Sequence, residues 1–258
     1  AGADVRVREE NGIYHAPGIS DDARGLAVIL QVLRTMQEKN IQTIGDICFV
    51  CTVGEEGNGD LRGSKYLFLK SGMKIDGFIS VDGVDVGRLL CAATGSKRYR
   101  VHFDGPGGHS WKNFGYASAI HAMGRAIAKI ADVRPCEDPR TTFTCGTIVG
   151  GTTVNSIAAH CEMELDMRSA GGKELDEIEA QILPLIQAAC EEENARWGAE
   201  GDLAVKLTLE PIGHRPGGQQ SDESSVLQAA RAAMNELGIE LKKYDAASTD
   251  HNIAIHCG

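Results

Sequence analysis

Leu26, Ile29, Leu30, Leu33 and Met36 recur at the spacing of one helical stripe, and Asp21 and Asp22 sit where that helix would begin. Upstream, Asp4 to Arg8 reads as a short strand with Asn11-Gly12 as its turn. Ile44 to Val53 is a nearly continuous β-branched and apolar run, the pattern of a strand buried on both faces of a parallel sheet. Leu61 to Leu69 reads as a crossover helix and Gly77 to Val81 as the next strand, which is β-α-β grammar.

Further along, the period shortens. Tyr99 to Phe103 alternates as a half-buried strand, followed by the glycine-rich run Gly105-Pro106-Gly107-Gly108-His109-Ser110-Trp111. A helix is expected from about Ala117 to Ile130. Two alternating strands come next, Thr142 to Val149 and Ala159 to Arg168, the second with Cys161, Met163, Leu165 and Met167 on one face. Glu174 to Arg196 is a long amphipathic helix and Leu203 to Leu209 a last strand, so helices should cover one face of a sheet. Pro211 to Gln220 reads as a linker back, and Ser224 to Leu237 resumes helix. The expected fold class is α/β: a hydrolase-like catalytic domain made of residues 1–94 and 211–258, with an α+β, ferredoxin-like domain of residues 95–210 inserted in it.

Composition narrows the partners. The 258 residues carry a net charge of -10 and contain no basic run, which argues against a nucleic-acid surface and against anionic lipid. No apolar stretch approaches the roughly 20 residues that span a bilayer. Cys48 and Cys51 would point to opposite faces of one strand, so their spacing cannot clamp a metal there. Cys91, Cys145, Cys161 and Cys190 have apolar neighbours, as buried free thiols do, and a reducing, cytoplasmic compartment is expected.

In open α/β sheets ligands collect at the carboxyl ends of strands. Asp21 at the helix start, Glu55 and Glu56 after Val53, and Asp82 after Val81 should therefore meet at one rim. Like charges that close must protonate or share cations, and hard oxygen donors suit zinc, manganese or cobalt. Asp21 or Asp22 could instead cap the helix, Glu55-Glu56 could be a solvated turn, and Asp85 is an alternative ligand to Asp82.

Taken together, six segments carry a resemblance: Gly18-Ile19-Ser20-Asp21-Asp22, Gly54-Glu55-Glu56-Gly57, Val81-Asp82-Gly83, Gly105-Pro106-Gly107-Gly108-His109-Ser110, Gly150-Gly151-Thr152-Thr153-Val154-Asn155 and Ser248-Thr249-Asp250. In that order they resemble the zinc-dependent exopeptidases and deacylases that include peptidase T, carboxypeptidase G, acetylornithine deacetylase and succinyl-diaminopimelate desuccinylase. The resemblance implies two zinc ions, with cobalt or manganese possible. Asp21 would bridge them, Glu56 and Asp82 would each hold one, and Glu55 would be the general base on a shared water. It further implies that His109 reaches across a homodimer, formed through the inserted domain, to stabilise an oxyanion. Asn155 and Arg168 would bind substrate; a cross-strand ion pair is the alternative for Arg168. The implied substrate is a short peptide, with an N-acyl amino acid as the alternative and a metal-free binding or dimerisation module as a third reading.

The family pattern also includes an upstream His-x-Asp and a late histidine. His15 does not match the first and reads as structural, and His251 and His256 lie too early for the second. The expectation is therefore a fragment, or a chain with both ends missing, that binds zinc weakly and hydrolyses peptides slowly or not at all.

Overall fold

Asn11 and Gly12 both adopt positive φ, 54° and 77°, as a two-residue hairpin turn of the right twist requires. They join β1 (Arg8–Glu10) to β2 (Ile13–His15), with His15 exposed opposite Arg8. This computed structural model describes residues 4–83, 86–241 and 243–258, with the side chains of 243–245 left aside; Asp85 lies outside the described residues. After β2 the elements run α1 (Ala23–Glu38), α2 (Arg62–Leu69), β3 (Arg88–Ala93), β4 (Gly95–Asp104), β5 (Gly108–His109), α3 (Ala119–Ala131), β6 (Thr141–Gly150), β7 (Ser156–Ile157) and β8 (His160–Ser169). Then follow α4 (Gly172–Trp197), β9 (Lys206–Arg215), β10 (Gly218–Gln219), α5 (Ser225–Glu236), β11 (Lys243–Ala247) and α6 (His251–Cys257). They divide into two compact units: residues 1–91, 220–245 and 249–254 form the first, and residues 92–219, 246–248 and 255–258 the second.

In the second unit β4, α3, β6, β8, α4 and β9 follow one another, and the antiparallel sheet has the order β6-β8-β4-β9. That is the ferredoxin-like arrangement. The alternation works as the sequence implies. Val101 and Phe103 of β4 and Cys161, Met163, Leu165 and Met167 of β8 are buried together with Met123, Ala126 and Ile130 of α3 and Ile178, Ile182 and Ile186 of α4. Each such large apolar side chain contributes roughly 1.5–3 kcal/mol on burial. Inside this core sits one acid, Glu193 of α4, which is fully buried. Its carboxylate accepts from the Ser118 N–H at 3.1 Å, from Arg125 Nε at 2.9 Å and from Trp197 Nε1 at 3.1 Å, so the buried charge is paired and its lone pairs are satisfied. β9 runs on to Arg215 where a linker was expected from Pro211. Proline is tolerated there because β9 is an edge strand, and the register shifts opposite it, between Arg98 and Tyr99.

The first unit departs further from expectation. α1 and α2 form where helical spacing predicts them, but residues 44–53 and 77–81 join no strand ladder. Ile44, Ile47, Val53 and Ile79 are exposed rather than buried, as are Cys48 and Cys51. β-branched composition favours extended backbone, whereas a parallel ladder also needs neighbours from distant sequence, which local pattern does not specify. Leu61 and Leu67, Leu227 of α5 and Ile253 of α6 are buried in this unit, and Phe68 and Phe78 pack edge to face at 5.1 Å.

Candidate functional site

The first helix begins on a carboxylate. Asp22 is the N-cap of α1, and its Oδ1 accepts from the Gly25 N–H at 3.1 Å, satisfying one of the donors left open at a helix start. Position 25 must be glycine for this: a Cβ there would lie 2.1 Å from Asp22 Oδ1. The Asp21–Asp22 peptide is cis. Asp82, following the extended residues 77–81, comes to the same place, and one carboxylate oxygen from each of Asp21, Asp22 and Asp82 lies within 4.8 Å of the others.

The electrostatics match this crowding. Partial burial, then the charges of Asp21 and Asp22, push the Asp82 carboxyl above its usual range; the Gly83 N–H opposes the shift and Asp250 adds to it. Asp22 is also raised, chiefly by burial and further by Asp21, against the hydrogen bond from Gly25. Asp250 is buried, takes a hydrogen bond from Thr52 Oγ1 at 2.5 Å on Oδ2, and leaves Oδ1 with no partner. Three converging carboxylates beside a fourth with an orphaned buried oxygen form a donor set that fits a hard or borderline divalent cation. No histidine belongs to this group among the described residues.

The other expected residues are placed differently. Glu55 is half-buried and Glu56 exposed on the turn between Gly54 and Leu61, closed by the Leu61 N–H to the Gly54 carbonyl at 2.9 Å. Neither is in the group formed by Asp21, Asp22 and Asp82. Glu56 caps the short 3-10 turn Gly57–Gly59 without a side-chain hydrogen bond. Asp22 joins the group although the sequence reading gives the bridging role to Asp21 and weighs either acid as a cap, and Asp250 stands in a quoted motif without a role. The adjacency of Asp21 and Asp22 was the available signal, since a cap residue already points its carboxylate to the helix mouth.

His109 and Asn155 come together in the second unit. β5 pairs with β7, with His109 opposite Ser156, and the Ser110 N–H reaches the Asn155 carbonyl at 3.0 Å. His109 Nδ1 accepts from the Trp111 N–H at 3.2 Å, which makes Nε2 the protonated nitrogen of the neutral ring. Asn155 Oδ1 accepts from Thr153 Oγ1 at 3.0 Å, which orients its amide NH2 the other way. Both side chains are exposed. Arg168 pairs within its own strand and not across strands: its Nε donates to Asp166 Oδ2 at 2.6 Å, while Arg98 Nε, from β4, donates to Oδ1 at 2.7 Å. Burial pushes Asp166 up, but these hydrogen bonds and charges prevail and hold it below the usual carboxylate range.

No disulfide joins the cysteines of the described residues, of which Cys161 and Cys190 are buried, and no helix among the described residues is long and apolar enough to cross a membrane.

Comparison with known proteins adds a second kind of evidence. Residues 6–131 match the model of Peptidase family M28, and residues 91–194 that of a Peptidase dimerisation domain. An uncharacterized protein of Bacillus subtilis, YqjE, is 28% identical over 99% of this chain and 67% of its own length. The acetylornithine deacetylase of Buchnera aphidicola is 26% identical over 71% of this chain and 49% of its own. Among solved structures, a tripeptidase from Staphylococcus aureus superposes with a TM-score of 0.73 at 24% identity, covering 96% of this chain and 65% of that one. Aminopeptidase PepT from Bacillus cereus gives 0.65 at 23% identity, covering 98% and 65%. The chain thus spans about half the length of the deacetylase and about two thirds of the two peptidase structures.

Proposed function

We propose that this chain, which matches the models of Peptidase family M28 and of a Peptidase dimerisation domain and is similar to acetylornithine deacetylase, carries the chemistry of a metal-dependent amide-bond hydrolase acting on a short peptide. The observation that supports this most is the convergence of Asp21, Asp22 and Asp82 beside buried Asp250. Asp21 and Asp82 are the proposed holders of a dinuclear zinc centre, with Asp22 beside them and Glu56 as the further ligand the resemblance implies. Bound zinc, or cobalt or manganese, would supply Lewis acidity and lower the pKa of water.

The remaining work falls to side chains. Glu55 takes the proton of the attacking water and passes it to the leaving amine, a role that needs a carboxylate within hydrogen-bond reach. His109 donates from Nε2 and Asn155 from its amide NH2 toward the oxyanion that develops on the scissile carbonyl. In this reading His109 serves the site of a second copy in a homodimer formed through the matched dimerisation segment, residues 91–194. Arg168 grips a substrate carboxylate with its guanidinium edge, Asp166 holding it in place through Nε. Cysteines outside disulfides fit a reducing, cytoplasmic setting.

The likeness to acetylornithine deacetylase favours one second reading, an N-acyl amino acid deacylase using the same residues. A panel of di- and tripeptides and N-acetyl amino acids, assayed with added zinc, cobalt or manganese, separates the two. Glu55→Gln should lose activity by about 10²–10⁴-fold with metal content kept. Asp82→Asn should lose metal from the carboxylate centre. Unchanged metal binding in an Asp21→Asn/Asp82→Asn chain, or a Glu55→Gln chain as active as the parent, would reject the hydrolase reading in favour of a binding or dimerisation module.

A further inference from the structure

The sheet of the second unit has an outer face that the helices do not cover, and on it two histidines stand side by side. β4 and β8 pair with His102 opposite Glu162 and Asp104 opposite His160, so one imidazole comes from each strand. The ring centroids are 5.9 Å apart. One nitrogen of each ring faces the same carboxylate oxygen: His102 Nδ1 lies 3.5 Å and His160 Nε2 3.6 Å from Glu162 Oε2. A ligand atom from each of the three residues lies within 4.8 Å of the other two.

These separations have a chemical meaning. Donor atoms about 2.0–2.1 Å from one tetrahedral zinc are about 3.4 Å from each other. Both measured nitrogen-to-oxygen separations are close to that edge length, longer than a direct hydrogen bond prefers. The second nitrogen of each ring is also engaged. His160 Nδ1 meets Asp104 Oδ1 at 2.7 Å, and His102 Nε2 faces Glu210 Oε2 at 3.4 Å. A carboxylate behind a ligating imidazole fixes its tautomer and raises its basicity. The scaffold is stiff as well, because both strands run ten residues and their reverse faces are packed in the core.

We propose that His102, His160 and Glu162 form a second binding site for a single divalent ion of the zinc class, with Asp104 and Glu210 as its outer partners and the remaining coordination position open to solvent. Two imidazoles and one carboxylate suit zinc, copper or nickel in preference to calcium or magnesium. The site is chemically distinct from the carboxylate centre of the first unit, which has no imidazole among the described residues. It does not depend on the hydrolase reading.

The test uses zinc alone as the probe, titrated calorimetrically into the whole chain and into an Asp21→Asn/Asp82→Asn chain. The second should retain one saturable site, and zinc-edge absorption spectra should show imidazole scattering from it. His102→Gln or His160→Gln, both on the outer face and expected to keep the circular dichroism of the parent, should remove that site from either background. Asp104→Asn should weaken it by about 10–100-fold. The proposal is overturned if the histidine variants titrate like their parent chains, or if the Asp21→Asn/Asp82→Asn chain takes up zinc with no imidazole signature or takes up none. Either result would mean that the two rings only form ion pairs with their acidic neighbours.

Discussion

The second unit closes a core around a sheet whose every strand finds its neighbour, while the first leaves long apolar segments open. In the second, alternation along β4 and β8 and helical spacing along α3 and α4 turn the same side chains inward. In the first, α1 carries the expected stripe, yet only Ile29, Leu33 and Met36 are half-buried, with Leu26 and Leu30 exposed. The difference teaches where stability and chemistry are separated. Packing energy concentrates in the unit with the antiparallel sheet, and the carboxylate cluster lies in the unit with fewer buried apolar side chains.

That contrast can be broken by mutation. Phe103→Ala, in the core of the second unit, should destabilise the chain by about 3–5 kcal/mol in denaturant unfolding. Arg125→Ala should cost about 3 kcal/mol by leaving the buried Glu193 charge without its cation. Asp22→Ala removes the cap of α1 and should cost roughly 1 kcal/mol, with a loss of metal binding out of proportion to that figure.

Asp166 sharpens the contrast through pH. Its folded pKa lies below its unfolded value, so its pairing stabilises the chain at neutral pH and is lost as pH falls through the folded pKa. Asp166→Asn should therefore flatten the acid limb of stability against pH while leaving stability nearly constant across that limb's lowest end. Last and smallest, Leu30→Gln on the exposed side of α1 should change stability by no more than about 0.5 kcal/mol. A larger loss there would mean that α1 is packed more deeply than its exposure indicates.

Much of this was legible in advance, and the reasons are physical. A strand that alternates, such as β8, states which residues face a core, although not that β4 and β6 are its neighbours. The helix start at Asp22 was legible because a cap is a local device. Residues 44–53 were misread because a continuous apolar run states burial without stating what covers it. Pro211 was misread as a linker signal because an edge position is a property of the assembled sheet. The site divided in the same way. Asp21 and Asp82, expected at a helix start and a segment end, lie in one carboxylate group, while Glu55 and Glu56, expected beside them, lie outside it; Asp22 entered as half of an acidic pair either member of which could cap the helix, and Asp250 was not assigned.

Glu193 has one consequence of its own. A single carboxylate holds the amide at the head of one helix, a guanidinium two turns along it, and an indole near the tail of the other. Two rods fastened through one common bolt cannot slide independently, so any force reaching this layer must displace both helices or neither.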